Sequence, residues 1–331
     1  MCSSDLKQNG QPWITNLPFP VQVIEKVESW DAISQTKLVS SYSYHHGYYD
    51  GVEREFFGFG MIERLDAETL SSDAQPYDVP PVLSKTWYHT GAWQGEESLS
   101  KQYEPEYFQG DPAAHQFPDS VFDANGQEPD SETWREAHRA LKGMVLREEL
   151  YGKDDSDQQA NPYSVTQTNY KVKLIQAKGE NKYGVYFVHP QESLTYDYER
   201  NPADPRIGHE FVLEVDEYGN VLGSCAVAYG RRSAVGRLPE QLSLKITYSA
   251  DSFINQTQEF YLLGVPQENR SYEIKNLSLP SAQQYFAFAD VKDHLEEVTD
   301  SPETPLLSWQ RHYYWNPESE RSEEHTSELQ S

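Results

Sequence analysis

Cysteine is almost missing from this sequence, with only Cys2 and Cys225 in 331 residues. Cys2 falls in an end stretch that reads as foreign, which leaves Cys225 without a partner for an internal disulfide. That argues against a small disulfide-stapled extracellular domain and fits a reducing cytosol or bacterial secretion. Cys225 lies in the strand-like run VLGSCAVAY, where a small core residue is expected rather than a nucleophile. Long apolar runs are missing too, since none approaches the roughly eighteen residues of a membrane helix. Positive charge is scarce: 27 Lys and Arg stand against 53 Asp and Glu, for a net charge of −26. Nucleic acid is opposed as a partner, because its phosphates demand clustered Lys and Arg. An anionic membrane surface is disfavoured by the same repulsion. The excess acid reads either as a solvated exterior or as a negatively charged inner wall facing another polypeptide.

The familiar catalytic signatures are missing as well. No Walker loop, H-E-x-x-H, G-x-S-x-G or paired-cysteine motif occurs. The stretch GFGMIE at 58–63 lacks the third glycine and the helix start of a dinucleotide site. His45 and His46 are adjacent, so on a strand they point to opposite faces and cannot share one metal. His89, His115 and His138 have no second histidine at ligand spacing, so no metal or cofactor is expected. Among 53 carboxylates some pair will be close by chance, so no glycosidase pair can be chosen.

What is abundant is aromatic. The chain holds 23 Tyr, 13 Phe and 7 Trp, core material that disordered chains lack. Residues 43–60, SYHHGYYDGVEREFFGFG, pack four glycines and six Tyr or Phe into eighteen positions. The set Trp87, Tyr88, Trp93, Tyr103, Tyr107 and Phe108 reads as core, or as a sugar-binding platform if exposed.

Both ends read as foreign. MCSSDL at 1–6 and RSEEHTSELQS at 321–331 match one short-read sequencing adapter translated on opposite strands, so neither is expected to belong to the fold.

Between them the pattern is largely extended. PVQVIEKV and TKLVSSYSY alternate apolar and polar positions, as half-buried strands do. SSDAQPYDVPP at 71–81 is a proline-rich break, and Tyr103–Asp130 reads as a long packed loop. One helix is expected in DSETWREAHRALKG, with Ser131 as its cap, Gly143 as its stop, and Trp134, Ala137, His138 and Leu141 on one face. MVLREELYG follows as a strand. From Asn169 onward, strand follows strand: YKVKLIQ, YGVYFVH, EFVLEVD and VLGSCAVAY around the turn EYGN, then LSLKITY, EFYLLGV and YEIKNLSL. A short helix near ADVKDHLEEV closes the series. Without alternating long helices, this is a mainly β, antiparallel architecture with one or two short helices.

Three stretches carry a resemblance: YHHGYYDGVEREFFGFG at 44–60, ALKGMVLREELYG at 140–152, and YDYERNPADPRIGHEFVLEVDEYGNVLGSCAVAYGRR at 196–232. With NPYSVTQTNYKVKLIQ and WQRHYYWNP, they make nearly the whole chain resemble the B component of bacterial insecticidal toxin complexes, the Tc toxins. The resemblance implies strips of antiparallel sheet winding into a hollow Rhs/YD-repeat shell. Residues 7–140 would be the B component's middle region and 141–320 the start of the shell, following a β-propeller that lies outside this sequence. Residues 196–232 hold about one loose YD unit, so the start of the repeats is not fixed internally. The family's B and C components enclose a cytotoxic cargo, which leaves through the pore of the A component onto which the propeller docks. The resemblance thus implies a secreted toxin complex as location and the C component, its cargo and the A-component pore as partners. The family's cargo-releasing protease belongs to the C component, so no catalytic residue is carried over.

Structural-motif roles fall to Gly47, Tyr48, Tyr49, Asp50, Gly51, Arg54, Phe57, Gly58 and Gly60 in the first stretch. In the third they fall to Tyr198, Arg200, Asp204, Arg206, Gly219, Asn220, Tyr229, Gly230 and Arg231. Arg54 between Glu53 and Glu55, and Glu199–Arg200 with Arg206, would form salt bridges between strips or plain surface pairs. A carbohydrate-binding or carbohydrate-active β protein, and a generic Rhs-type polymorphic toxin shell, are the other readings.

Overall fold

The computed structural model describes residues 17–70, 79–94, 97–126, 128–258, 261–281, 283–298 and 304–314. The chain divides into two compact units, one ending at Arg206 and one beginning at Ile207.

The first unit opens with β1 (Lys26–Asp31), β2 (Thr36–Asp50), β3 (Glu55–Leu70) and β4 (Val82–Tyr88). A two-stranded ribbon follows, β5 (Trp93–Gln94) with β6 (Glu97–Ser98). Next come β7 (Val121–Asp123), α1 (Ser131–Ala140), β8 (Val145–Gly152), β9 (Ser164–Gln176) and β10 (Val185–Asp197). The ladder runs β1-β2-β3-β4-β8-β9-β10, each neighbour antiparallel. Among the described residues only β7 is parallel, laid along Lys171–Lys173 of β9. The sequence expectation of strands with one helix holds here, with local corrections.

The helix is capped one residue earlier than expected. Asp130 takes extended backbone and accepts from Thr133 N at 2.8 Å, leaving Ser131 as the first helical residue. An aspartate offers a charged acceptor to the orphan amides of the first turn, where its charge also suits the helix dipole. Its far end closes at Leu141, with Gly143 two residues on at φ +83. Ala137 and Leu141 bury against Tyr170 and Val172 of β9, as their spacing predicts. The expected loop Tyr103–Asp130 is more regular than its sequence: a 3-10 turn, Leu99–Glu106, enters it, and β7 pairs within it. The cause is packing. Tyr103 and Tyr107 join Trp87 and Met61 in a core cluster, which pins the turn despite Pro105.

The second unit is β11 (Arg206–Val215), β12 (Val221–Tyr229), β13 (Lys245–Gln256), β14 (Leu262–Glu273), α2 (Phe288–Val298) and β15 (Leu306–Arg311). Each strand pairs antiparallel with the next, and the EYGN turn joins β11 to β12 as predicted. α2 lays Val291 and Leu295 on Phe211, Cys225, Val227 and Ile246. Cys225 is therefore a core residue, and burial pushes its thiol up to about 12. YEIKNLSL is corrected: only Tyr272 and Glu273 belong to β14. Beyond them Ile274 turns into the core, and Leu277 and Leu279 pack against it from outside the ladder. Of EFYLLGV, Glu259 and Phe260 lie outside the described residues, and the strand begins at Leu262.

Candidate functional site

The glycine- and aromatic-rich stretch forms the far end of the β2–β3 hairpin. Asp50 turns the chain by accepting from Val52 N and Glu53 N at 2.9 and 2.8 Å. Gly51 and Arg54 complete the turn, Arg54 at φ +57. Gly58 sits at φ +100, a conformation that only glycine adopts without strain. Gly60 permits a close approach: a Cβ there would meet Tyr103 Oη at 2.2 Å. Gly47 faces Leu17. Tyr48 and Phe57 bury together with Ala92, while Tyr49 meets Phe19 edge-on at 5.2 Å.

The tip is tied to α1 by charge. Glu53 accepts from Tyr183 Oη at 2.8 Å and pairs with Arg135 at 2.9 Å and Arg139 at 3.7 Å. Glu55 pairs with Lys142 at 2.7 Å and Arg139 at 3.3 Å. The Tyr183 hydroxyl and the two arginines hold the Glu53 carboxyl below its usual range. The acids on either side of Arg54 are thus paired, but with cations from the helix and the residues just after it rather than with Arg54.

The two histidines of the stretch also depart from expectation. His46 takes φ +56, so strand alternation breaks there, and the rings lie 6.3 Å apart. They face different carboxylates: His45 lies 3.7 Å from Glu63, and His46 lies 2.8 Å from Glu106. Among the described residues no three His, Cys, Asp or Glu gather as metal ligands.

A second joint was not singled out in the sequence. Glu149, 1% exposed, accepts from Arg147 Nε at 2.7 Å, Phe108 N at 2.8 Å and Tyr151 Oη at 2.6 Å. The Arg147 guanidinium lies 4.6 Å from the Tyr107 ring centroid. The signal was there as R-x-E-x-Y on alternate positions of one strand, which puts all three on one face.

The tyrosine-rich segment makes the third. Tyr196 and Tyr198 stack at 5.5 Å; Tyr196 Oη accepts from His115 N, and Tyr198 Oη donates to Asp111 at 2.9 Å. Glu199 and Arg200 both adopt left-handed backbone, at φ 50 and 67. Their amides bond Tyr163 O and Pro162 O. Arg200 grips Asp154 with two bonds, at 2.7 and 2.9 Å, and reaches Ser156 Oγ at 2.6 Å. Asp204 is buried, and Arg206 meets Glu199 at 2.5 Å on the surface.

In the second unit the β11–β12 turn is organised by Asp216, which accepts from Tyr218 N, Asn220 N and the side-chain amides of Asn220 and Asn255. Gly219 takes φ +90. Tyr229 Oη accepts from Phe286 N at 3.0 Å. A Cβ on Gly230 would meet Leu242 O at 2.3 Å, and Arg231 N donates to Gln241 O. The candidate residues therefore lie in several separate turns and loops and are not brought together in one site. Of the aromatic platform, Trp87, Tyr103 and Tyr107 are core, and Phe108 packs on Tyr198.

Such an arrangement defines a mainly β protein of antiparallel strands whose polar motifs fall at its turns and loops. Two family descriptions match it: the middle/C-terminal region of the insecticide toxin TcdB over residues 136–279, and the middle/N-terminal region of the same toxin over residues 2–91. The chain belongs to the TcdB-type B components of insecticidal toxin complexes, as a segment of one. Its fold is similar to a crystal structure of TcdB2-TccC3-Cdc42, at 29% identity and a TM-score of 0.80 over 95% of this chain. It is similar likewise to TcdB2-TccC3 without its hypervariable C-terminal region, at 29% identity over 95% with a TM-score of 0.78. A Tc holotoxin pore of Photorhabdus luminescens matches at 29% over 95% with a TM-score of 0.76. The chain spans only 15–16% of the length of those chains. A comparison with curated proteins finds no match.

Proposed function

We propose that this segment is a length of wall in the shell of a Tc toxin B component, structural rather than catalytic. With the C component it would enclose a cytotoxic cargo and release it into the A-component pore after secretion. The observation that carries this reading is the match to TcdB2 in TcdB2-TccC3 structures over 95% of the chain. The polar joints support it: they stiffen sheet at its turns, which a closed wall needs. The acidic composition suits a hydrated surface that does not stick to an unfolded guest.

The test is a graft. The matched region of TcdB2 is replaced by residues 17–314 of this chain and co-expressed with TccC3. Cargo that stays resistant to added protease inside an assembled complex is the expected result. A chimera that folds and assembles yet leaves its cargo open to digestion counts against the reading.

A further inference from the structure

Just past β7 the chain turns at Asn125 and Gly126, the only Asn-Gly pair among the described residues. Both are exposed, and both take left-handed backbone, at φ +53 and +77. The turn is held on one side, where Asn125 N donates to Asp123 Oδ1 at 3.0 Å. On the far side residues 128–130 belong to no strand, so no ladder fixes the course of the chain there. The Asn125 side chain makes no hydrogen bond among the described residues. Those of Asn161, Asn169, Asn220, Asn255 and Asn269 all donate one.

These features suit one reaction, the closure of an asparagine side chain onto the backbone that follows it. The Gly126 amide nitrogen gives its proton to hydroxide and attacks Asn125 Cγ. A C–N bond forms, the Cγ–Nδ2 bond breaks, and the side-chain nitrogen leaves as ammonia. Water then opens the resulting succinimide at either carbonyl, giving aspartate or, with the backbone rerouted through the side chain, isoaspartate. Glycine in second place makes the approach feasible: it has no Cβ to crowd the nitrogen, and its backbone rotates freely into reach. Asn125 must leave its left-handed backbone to close the ring, and L residues hold that conformation at a cost. With nothing paired beyond the turn to resist it, the departure is easy. We propose that Asn125 is a site of spontaneous deamidation, with water as the co-reactant. The product sets a further negative charge two residues from Asp123, which pairs with Lys171 at 3.2 Å where β7 lies along β9. Isoaspartate also adds a methylene to the backbone there, so the converted chain holds β7 on β9 less firmly.

Peptide mapping by mass spectrometry tests this on the whole chain, aged at mildly alkaline pH in buffer and, in parallel, in urea. In buffer the peptide holding Asn125 is expected to divide into aspartate and isoaspartate forms. Its rate should be of the same order as in urea and should rise in proportion to hydroxide. Gly126→Ala should slow the conversion several-fold in urea, where folding plays no part, and Asn125→Gln should abolish the isoaspartate form. A peptide that converts in urea yet keeps its amide in buffer shows that the fold protects the turn, and overturns the proposal. So does one that converts in neither. Amide exchange along Lys171–Lys173 should quicken in the converted chain, and unchanged exchange overturns the structural consequence.

Discussion

At Glu149 the chain buries a carboxylate whose three donors come from β8 itself and from the loop above it. Removing it leaves the Arg147 guanidinium, 5% exposed, without its counter-charge. Breaking one side of such a pair costs about 3–5 kcal/mol, so Glu149→Leu is expected to lower the urea midpoint sharply. Arg147→Met with Glu149→Leu should recover much of the loss, since no charge is then stranded. Hydropathy alone misleads here. Leu146 and Leu150 alternate with Arg147, Glu149 and Tyr151, and the rule of apolar-inside buries the leucine face. The charged face is the one fully covered, because Tyr107 and Phe108 close over it. Charge burial depends on what arrives from some forty residues away, which a local pattern does not carry. Gly60 is a sharper case. Gly60→Ala forces its Cβ onto Tyr103 Oη and should cost roughly 1–3 kcal/mol by overpacking, with partial relief in a Tyr103→Phe background.

His89 sets a pH dependence. Burial lowers it from 6.5 to about 4, so it is neutral in the fold, and below pH 6.5 the unfolded chain binds the extra proton. Its contribution is full above pH 6.5, declines as pH falls, and is gone once pH passes below about 4. A tenfold difference in proton affinity between the folded and unfolded chains is worth about 1.4 kcal/mol, so the slope is measurable by denaturant titration between those values. His89→Phe should reduce it, leaving the share of His45, His138 and His189, which burial also lowers; a slope that persists unchanged in a folded variant refutes the assignment.

Among the elements, α1 offers a clean contrast. Asp130→Ala removes the side-chain cap and should cost about 1 kcal/mol, while Ser131→Ala should leave the melting temperature nearly unmoved. The helix, its buried face and the EYGN hairpin were legible because their signals are local: a cap, a 3.6-residue period, a turn glycine. The turn at Glu199–Arg200 was not. Neither residue favours left-handed backbone, and what holds them there is the grip of Arg200 on Asp154 and two amide bonds to the 162–163 backbone. Arg200→Lys keeps the charge but loses the two-pronged geometry. Limited proteolysis should then open the 153–161 loop first, while the helix and hairpin stay protected.

For the whole molecule, the outermost strands set the solution behaviour. Every residue of β1 and of β15 is exposed, Trp30, Leu306, Leu307 and Trp309 among them. Exposed strand edges bearing large apolar groups invite pairing with another chain. Concentration-dependent association is therefore expected in light scattering, reduced by Trp309→Lys; a monomer that stays monodisperse at high concentration would contradict it. The antiparallel, mainly β class was readable throughout from alternation and turn spacing.

In the second unit each strand bonds to the strand that follows it in sequence, with α2 set between the last two. The strand pairings of its sheet are consequently between neighbours along the chain, the regime in which assembly is fast, and only the packing of α2 on β11 and β12 reaches further. A ribosome delivers the polypeptide in that same order, so each strand meets its partner already waiting. The order of synthesis can serve as the order of construction, one course laid upon the last.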